Sequence, residues 1–314
     1  MQMRRAALRM ATKSPRTSGL RFDAAMMSNV GAVRTLNEDV AVYAAPKADD
    51  GLGRGSLALV ADGMGGHAAG EVASGLAAEI IRRIYFELDG TIPAVLASAF
   101  AAANSEIINW AAEHPECAGM GTTCTALALC DGQAWLGHIG DSRAYLLRGT
   151  TFTQLSTDQT LVAQMVREGK LTPEQAAASP VSNVILQALG MGPEIAPVIW
   201  NEPLSLQPGD IVVLCTDGLS GLVADETIAD LAGRLPPYDA CLALIDTAIA
   251  AGGHDNVSVG VLRAVTEGER SEDAGDTTRQ MRLPDLAGVA PPEDWDGGGT
   301  RELSLPAAGG RRDG

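Results

Sequence analysis

The chain has 314 residues, of which 46% are hydrophobic and 4% aromatic, and its formal net charge is −16. This length fits one large domain or two small ones, and the hydrophobic content excludes a wholly disordered chain. The acidic balance and the few aromatic side chains exclude a general nucleic-acid binder, because phosphate affinity comes from clustered Lys and Arg. We therefore expect a folded acidic protein without a nucleic-acid partner.

Composition divides the chain into three parts. Residues 1–22 carry six basic and no acidic side chains, and we predict a flexible arm there. Residues 23–263 alternate apolar runs with turn signals, as expected of one folded domain. Residues 264–314 are acidic and rich in Gly and Pro, and they are too polar to offset the entropy of ordering. This composition predicts a disordered tail.

Cysteine usage and hydropathy bear on the compartment. The five cysteines are odd in number and form no CxxC pair, which favours reduced thiols over a disulfide framework. No apolar run approaches the ~18 residues of a transmembrane helix, so we expect no membrane span. Both features lead us to expect a cytoplasmic protein.

Short apolar runs in the folded domain are typical of strands, since each is bounded by turn residues. In chain order they are 39–45, 56–63, 122–130, 134–140, 143–149, 151–156, 211–218 and 256–262. Asp131 and Gly132 are predicted to form a hairpin turn. Helical periodicity predicts helices over 70–88, 91–113, 159–169 and 239–251. Because this order is not the strict alternation of a parallel sheet, it indicates an α+β fold of antiparallel sheets with helices packed outside.

Four aspartates lie beside these runs in Gly-flanked settings, namely Asp62, Asp141, Asp217 and Asp255. Each alone could be an ordinary surface residue. If they converge, their charges repel one another unless cations neutralise them. Oxygen ligands select Mg²⁺ or Mn²⁺, and the His and Cys residues show no zinc spacing. Two such ions side by side would form a site for phosphoryl transfer.

Seven motifs, in one consistent order, resemble those of the metal-dependent protein phosphatases, the PPM or type 2C family, in its bacterial form. They are VRTLNED (33–39), ADGMGGHAAGEVAS (61–74), GMGTTCTAL (119–127), GHIGDSRAYLLR (137–148), LSTDQTLV (155–162), CTDGLSGLV (215–223) and GGHDNVSV (252–259). The resemblance covers about 24–263. It implies a four-layer α-β-β-α sandwich, in which two antiparallel sheets are flanked by helices.

The resemblance also implies two Mn²⁺ or Mg²⁺ ions and assigns their ligands by position. Asp62 would bridge the two ions, and the Gly63 carbonyl would hold one of them. Asp217 and Asp255 would be ligands of the other ion. Family members hydrolyse phosphoserine and phosphothreonine without a covalent intermediate, because a metal-bridged water attacks phosphorus directly. The expected catalytic residues are Arg34, Asp62, Asp217 and Asp255.

Further roles follow from the same resemblance. Arg34 matches the phosphate-binding arginine of the family, and its planar fork suits two phosphate oxygens. Glu38 and Asp39 match an acidic pair that contacts a metal or its waters, although both could be solvated turn residues. Asp141 matches a residue that, with Asp217, holds a weaker third metal. Capping of its own turn would explain Asp141 equally well.

The chain departs from its relatives in two places. Met64 stands where many eukaryotic members have a histidine, the proposed general acid. The identity of the acid is therefore open, with His67 or a metal-bound water as alternatives. The second departure lies in the flap, roughly 156–190, where uncharged residues replace basic residues that bacterial relatives often carry. These replacements are Gln159, Ser179 and Ser182. We expect them to weaken the attraction for a phosphopeptide or to change specificity.

The sequence thus predicts a protein serine/threonine phosphatase that reverses a Ser/Thr kinase in bacterial signalling. Its expected partners are phosphorylated proteins, either the kinase or its targets, and its expected state is a monomer. One alternative is a catalytically silent relative that binds phosphoproteins, and the intact carboxylates argue against it. A two-metal nuclease shares the carboxylate logic, and the acidic domain argues against it.

Overall fold

A computed structural model describes residues 19–46, 53–65 and 69–266. Its strands are β1 (Leu20–Asn29), β2 (Asp39–Ala44), β3 (Ser56–Met64), β4 (Gly121–Thr122), β5 (Cys124–Cys130), β6 (Gln133–Ile139), β7 (Arg143–Arg148), β8 (Thr151–Gln154), β9 (Val198–Ile199), β10 (Leu204–Ser205), β11 (Ile211–Cys215) and β12 (Val257–Thr266). Its helices are α1 (Ala69–Glu87), α2 (Ile92–Glu113), α3 (Leu161–Arg167), α4 (Pro173–Ala177), α5 (Asp217–Ser220), α6 (Asp225–Arg234) and α7 (Pro237–Ala250).

The strands form two antiparallel sheets. Sheet I has the strand order β1-β12-β11-β7-β8. Sheet II has the order β10-β6-β5-β3-β2, with β9 paired to β6 and β4 paired to β3. Helices α1 and α2 pack on sheet II, and helices α6 and α7 pack on sheet I. The expected α+β fold is confirmed.

Strand β11 shows how one apolar run supports two cores. All five of its residues are buried. Alternate side chains of a strand point to opposite faces. Ile211, Val213 and Cys215 accordingly pack with residues of α6 and α7. Val212 and Leu214 pack with residues of sheet II, such as those of β3 and β5. The layers therefore run α, β, β, α, as the family resemblance implies.

Local signals in the sequence are also realised. Asp131 (φ 49°) and Gly132 (φ 73°) both have positive φ and join β5 to β6, which is the geometry of the predicted two-residue hairpin. Helix α1 buries the four-residue repeat of Val72, Leu76, Ile80 and Ile84 against its neighbours. The apolar stripe of this helix was therefore readable from spacing alone.

The boundaries of the folded domain differ from the predicted 23–263. Strand β1 begins at Leu20, inside the predicted arm, and β12 extends to Thr266. The two strands pair over ten residues, with Leu20 opposite Thr266. This pairing joins the two ends of the domain, so local composition cannot reveal it. The remaining parts of the predicted arm and tail, 1–18 and 267–314, lie outside the described residues.

Two expectations about the compartment can be compared with the structure. None of the five cysteines, all of which lie among the described residues, forms a disulfide. Within the described ranges, no helix combines the length and the apolar character needed to cross a membrane.

Candidate metal centre

Two of the predicted site residues face each other across sheet II. Asp39 is the first residue of β2, and it lies directly opposite Asp62 of β3 in the antiparallel register. Like charges in such a pair destabilise a sheet. Asp39 is buried, and its Oδ2 accepts a hydrogen bond of 2.8 Å from the Thr216 hydroxyl. Because Thr216 follows β11, this bond connects sheet II to sheet I.

Sheet I brings three more aspartates to the same end of the sandwich. Asp217 follows β11, and Asp255 precedes β12, the strand that pairs with β11. Asp141 precedes β7, which pairs with the other edge of β11. Asp62 and Asp217 are close enough to affect each other's pKa, so side chains from both sheets meet here.

Burial and mutual repulsion disfavour the ionised forms of these carboxyls. Burial, followed by the charges of Asp39, Asp217 and Asp141, raises the pKa of Asp62 well above its usual range. Burial raises the pKa of Asp39 to about 7 despite hydrogen bonds from Thr216 and Ser258. Burial and the charge of Asp217 raise the pKa of Asp141 to about 7. Raised pKa values in a cluster of buried carboxyls are typical of a site where bound cations neutralise the charges.

Three oxygens in this region are buried and have no hydrogen-bond partner, namely Glu38 Oε1, Asp141 Oδ1 and Asp217 Oδ1. Buried polar atoms are otherwise almost always bonded. Hard cations are the partners that carboxylate oxygens of this kind accept. Among the described residues, no three His, Cys, Asp or Glu side chains have the spacing of a ready-made metal cluster. The donor set fits Mg²⁺ or Mn²⁺, but the side chains are not arranged around one point.

Asp255 shows that a side chain with a suitable ligand atom can be engaged elsewhere. Its Oδ2 lies 2.8 Å from the Arg34 guanidinium, and its Oδ1 accepts a hydrogen bond from the Asn256 N–H. Arg34 also lies 3.9 Å from Glu38. Burial raises the pKa of Glu38, and Arg34 opposes that rise. Arg34 is therefore placed among the carboxylates, half exposed to solvent.

Gly63 is required by close packing at the centre of the site. A Cβ at this position would lie 2.1 Å from the Gly70 carbonyl oxygen and 2.6 Å from the Glu38 carbonyl oxygen. The Gly63 N–H donates to the Glu38 carbonyl at 3.1 Å. Only glycine lets β3, the Glu38 loop and the start of α1 approach this closely.

The structure adds supporting residues that sequence reasoning missed or left as minor. The Thr123 hydroxyl accepts from the Asp62 N–H at 3.0 Å and bonds to the Ser142 hydroxyl at 2.7 Å. Asn256 accepts from the Glu38 N–H and donates to the carbonyls of Val30 and Leu36, so it fixes the loop that carries Arg34. In the sequence, these supporting residues are indicated by the Thr and Ser hydroxyls of the GTT, GDS and CTD motifs, which lie beside the predicted site residues.

A cavity of about 660 Å³ lies between the flap and the carboxylates, with Asp141 and Asp217 among its lining residues. Ser182 also lines it, whereas the Gln159 side chain is bonded within the protein, to Gly140 and Ala196. Met64, at the end of β3, has no proton to donate. His67 lies outside the described residues.

Comparison with known proteins bears on this centre. A family model described as Protein phosphatase 2C matches residues 48–243. Serine/threonine protein phosphatase PstP of Mycobacterium tuberculosis is 39% identical over 289 residues, which is 91% of this chain and 51% of that protein. Protein phosphatase PhpP of Streptococcus pneumoniae is 34% identical over 256 residues, 77% of this chain and 97% of PhpP. The chain thus spans about half the length of PstP.

Solved structures agree with the sequence comparison. A crystal structure of M. tuberculosis PstP/Ppp is 39% identical and has a TM-score of 0.68, covering 78% of this chain and 98% of that one. The catalytic domain of PstP in complex with two manganese ions is 38% identical and also has a TM-score of 0.68, covering 78% and 99%. Fold and sequence therefore point to the same relatives.

Proposed function

The chain belongs to the protein phosphatase 2C family, and from that premise we propose that it is a metal-dependent protein phosphatase that hydrolyses phosphoserine and phosphothreonine. The observation that carries the proposal is the meeting of carboxylates from both sheets, with buried oxygens that have no partner. Such an arrangement destabilises the fold unless bound cations neutralise the carboxylates.

Two Mn²⁺ or Mg²⁺ ions are the proposed cofactors, and PstP of M. tuberculosis supports them because its catalytic domain has been solved with two manganese ions. The residues that would hold them are Asp62, the Gly63 carbonyl, Asp217 and Asp255, with Glu38 and Asp39 nearby. When bound, the ions lower the pKa of water and offset the charge of the phosphate. Asp141 is the proposed ligand of a weaker third ion, since its buried Oδ1 has no hydrogen-bond partner and the residue lines the same cavity as Asp217.

The side chains of this chain have separate tasks in the proposed reaction. Arg34 binds two phosphate oxygens through its guanidinium and so orients the phosphate. Asp255 and Glu38 hold that guanidinium at the mouth of the site before substrate arrives. Thr216 keeps Asp39 in place through its hydroxyl, and Thr123 does the same for the backbone of Asp62.

The proposed partners are phosphorylated proteins, either a Ser/Thr kinase or its targets in bacterial signalling. The relatives named protein phosphatases support this class of substrate. We further propose a monomer in the cytoplasm, a compartment in which cysteines that form no disulfide stay reduced.

The test is hydrolysis of a phosphothreonine peptide against Mn²⁺ concentration, for the wild type and Asp217→Ala. Activity that rises with Mn²⁺ and is lost in the variant supports the proposal. Phosphopeptide binding without turnover at any Mn²⁺ concentration would instead favour a silent binding module, which the family also permits.

A further inference from the structure

The first four residues of the flap, 156–159, each make a hydrogen bond or ion pair with the stretch around Asp141. The Ala144 N–H donates to Ser156 Oγ, His138 Nε2 bonds to the Thr157 carbonyl, Arg143 pairs with Asp158, and Gln159 bonds to Gly140. Four consecutive residues thus run alongside the Asp141 turn. Gln159 is the last of them, immediately before α3 and its cap.

Gln159 uses all its polar groups to join three parts of the chain. Its N–H donates to the Gly140 carbonyl at 2.8 Å, and its Oε1 accepts from the Gly140 N–H at 2.8 Å. Its carbonyl accepts from the Leu186 N–H at 2.8 Å. Its Nε2 donates to the Ala196 carbonyl at 3.2 Å. One residue therefore binds the Asp141 turn, the returning part of the flap at Leu186 and the segment after the flap at Ala196.

Gly140 links the hydrogen bonds of Gln159 to the candidate metal centre. It is buried, directly precedes Asp141 and has a φ of +102°. A Cβ there would lie 2.6 Å from the Thr123 side chain, the same threonine that bonds to the Asp62 N–H. Gly140 is packed against the metal centre on one side, and Gln159 satisfies its N–H and C=O on the other.

We propose that Gln159 is a positioning residue, which fixes the Gly140–Asp141 turn and so the carboxyl of Asp141 for catalysis. It acts through Gly140 and not by contact with the substrate. The side chain suits this task because its amide offers an acceptor to Gly140 and a donor to Ala196 at once. The catalytic consequence rests on the proposed phosphatase function.

The experiment compares three variants of the full chain. Gln159→Ala removes both side-chain bonds, and Gln159→Glu keeps an acceptor for the Gly140 N–H. Gln187→Ala is the matched control, because Gln187 Oε1 accepts from the Ala196 N–H at 3.0 Å. It loosens the same flap end without touching Gly140. Thermal melting checks that each variant is folded.

Hydrogen exchange at the Gly140 amide is the first readout. We expect exchange to become about fivefold faster or more in Gln159→Ala, and to stay at the wild-type rate in Gln187→Ala and Gln159→Glu. An unchanged rate in Gln159→Ala, or equal acceleration in Gln187→Ala, would overturn the proposal.

Kinetics with para-nitrophenyl phosphate and a phosphothreonine peptide are the second readout. We expect kcat to fall about tenfold with both substrates in Gln159→Ala, because the defect is at the reacting end and not in peptide binding. A rise in KM for the peptide alone, with kcat unchanged, would overturn the proposal and make the flap contact the relevant one. If the wild type hydrolyses neither substrate, the phosphatase proposal fails, while the exchange rates still decide whether Gln159 fixes the turn.

Discussion

Among single residues, Asp62 combines burial with several neighbouring carboxyls, and both raise its pKa. It lies opposite Asp39 on the neighbouring strand and close to Asp217 of the other sheet. Its carboxyl therefore destabilises the metal-free fold and, in the proposed function, would help to hold the ions. The two roles can be separated because asparagine keeps the shape of the side chain and removes the charge.

We predict that Asp62→Asn lowers kcat/KM by about 10³-fold or more, while the fold survives. Without metal, the variant should melt at the wild-type temperature or above it, since one repelling charge is gone. Asp246→Asn, on the exposed side of α7, is the control and should change neither property. A variant that keeps its turnover but melts earlier would show that Asp62 is structural.

The sequence motifs predict the residues of the site, but they do not predict the partners of those residues. The aspartates beside Gly-flanked runs indicate hard cations. The pairing of Arg34 with Asp255 joins residues 221 positions apart, and no local pattern contains it. The hydrogen bonds that the Gln159 side chain makes within the protein are also not predictable from local sequence. For this reason the glutamine, in place of a basic residue, suggested only a weaker attraction for the substrate.

Among the elements, the flap is fastened to β7 by an ion pair at its first residues. Arg143 of β7 donates to both carboxylate oxygens of Asp158, and Gln154 adds a further bond. The side chains are 26% and 16% exposed, so solvent screens this pair only partly. By comparison, the Arg82–Glu79 pair on α1 is 37% and 28% exposed.

We predict that Arg143→Met lowers the free energy of unfolding by about 2–4 kcal/mol, because Asp158 is left without its partner. Arg82→Met should cost less than about 1 kcal/mol, as is usual for a pair on a helix surface. Urea unfolding of both variants measures the two values. If both variants lose the same free energy of unfolding, the Arg143–Asp158 pair does not stabilise the flap as a partly buried ion pair would.

Long periodic elements were readable from sequence, and pairings were not. Helices α1 and α2 and the β5–β6 hairpin follow from spacing and turn chemistry. Strand β1 was missed because its sequence, LRFDAAMMSN, lacks clear alternation, and its stability comes from pairing with β12. Helix α6 was missed because it buries little apolar surface, chiefly Ile228 and Ala232.

For the whole molecule, the metal centre lies where the two sheets meet, so its charge state affects global stability. The pKa values of Asp39 and Asp141 are raised to about 7 from 3.8. Between these values the metal-free folded protein binds more protons than the unfolded chain does. Stability therefore falls as pH rises through this range. His138 acts the other way, since burial lowers its pKa, but it is one group against several.

We predict that the melting temperature of metal-free protein falls between pH 5 and pH 8. Mn²⁺ should raise it by more at pH 8 than at pH 5, because ions replace the lost protons. Calorimetry in EDTA and in Mn²⁺ measures both effects, and a double variant, Asp39→Asn with Asp141→Asn, should flatten the pH dependence. A metal-free melting temperature that climbs over this range would contradict the assignment.

The ten-residue pairing of β1 with β12 has a topological consequence. One end of this ladder, Asn29 opposite Val257, borders the metal centre, and the other end, Leu20 opposite Thr266, is about 30 Å away along the strands. Anything tethered before Leu20 or after Thr266 thus departs from one shared point remote from the chemistry. A fluorescent or affinity tag at either position would leave the mouth of the site clear, and a short peptide could join the two positions in a circular permutant.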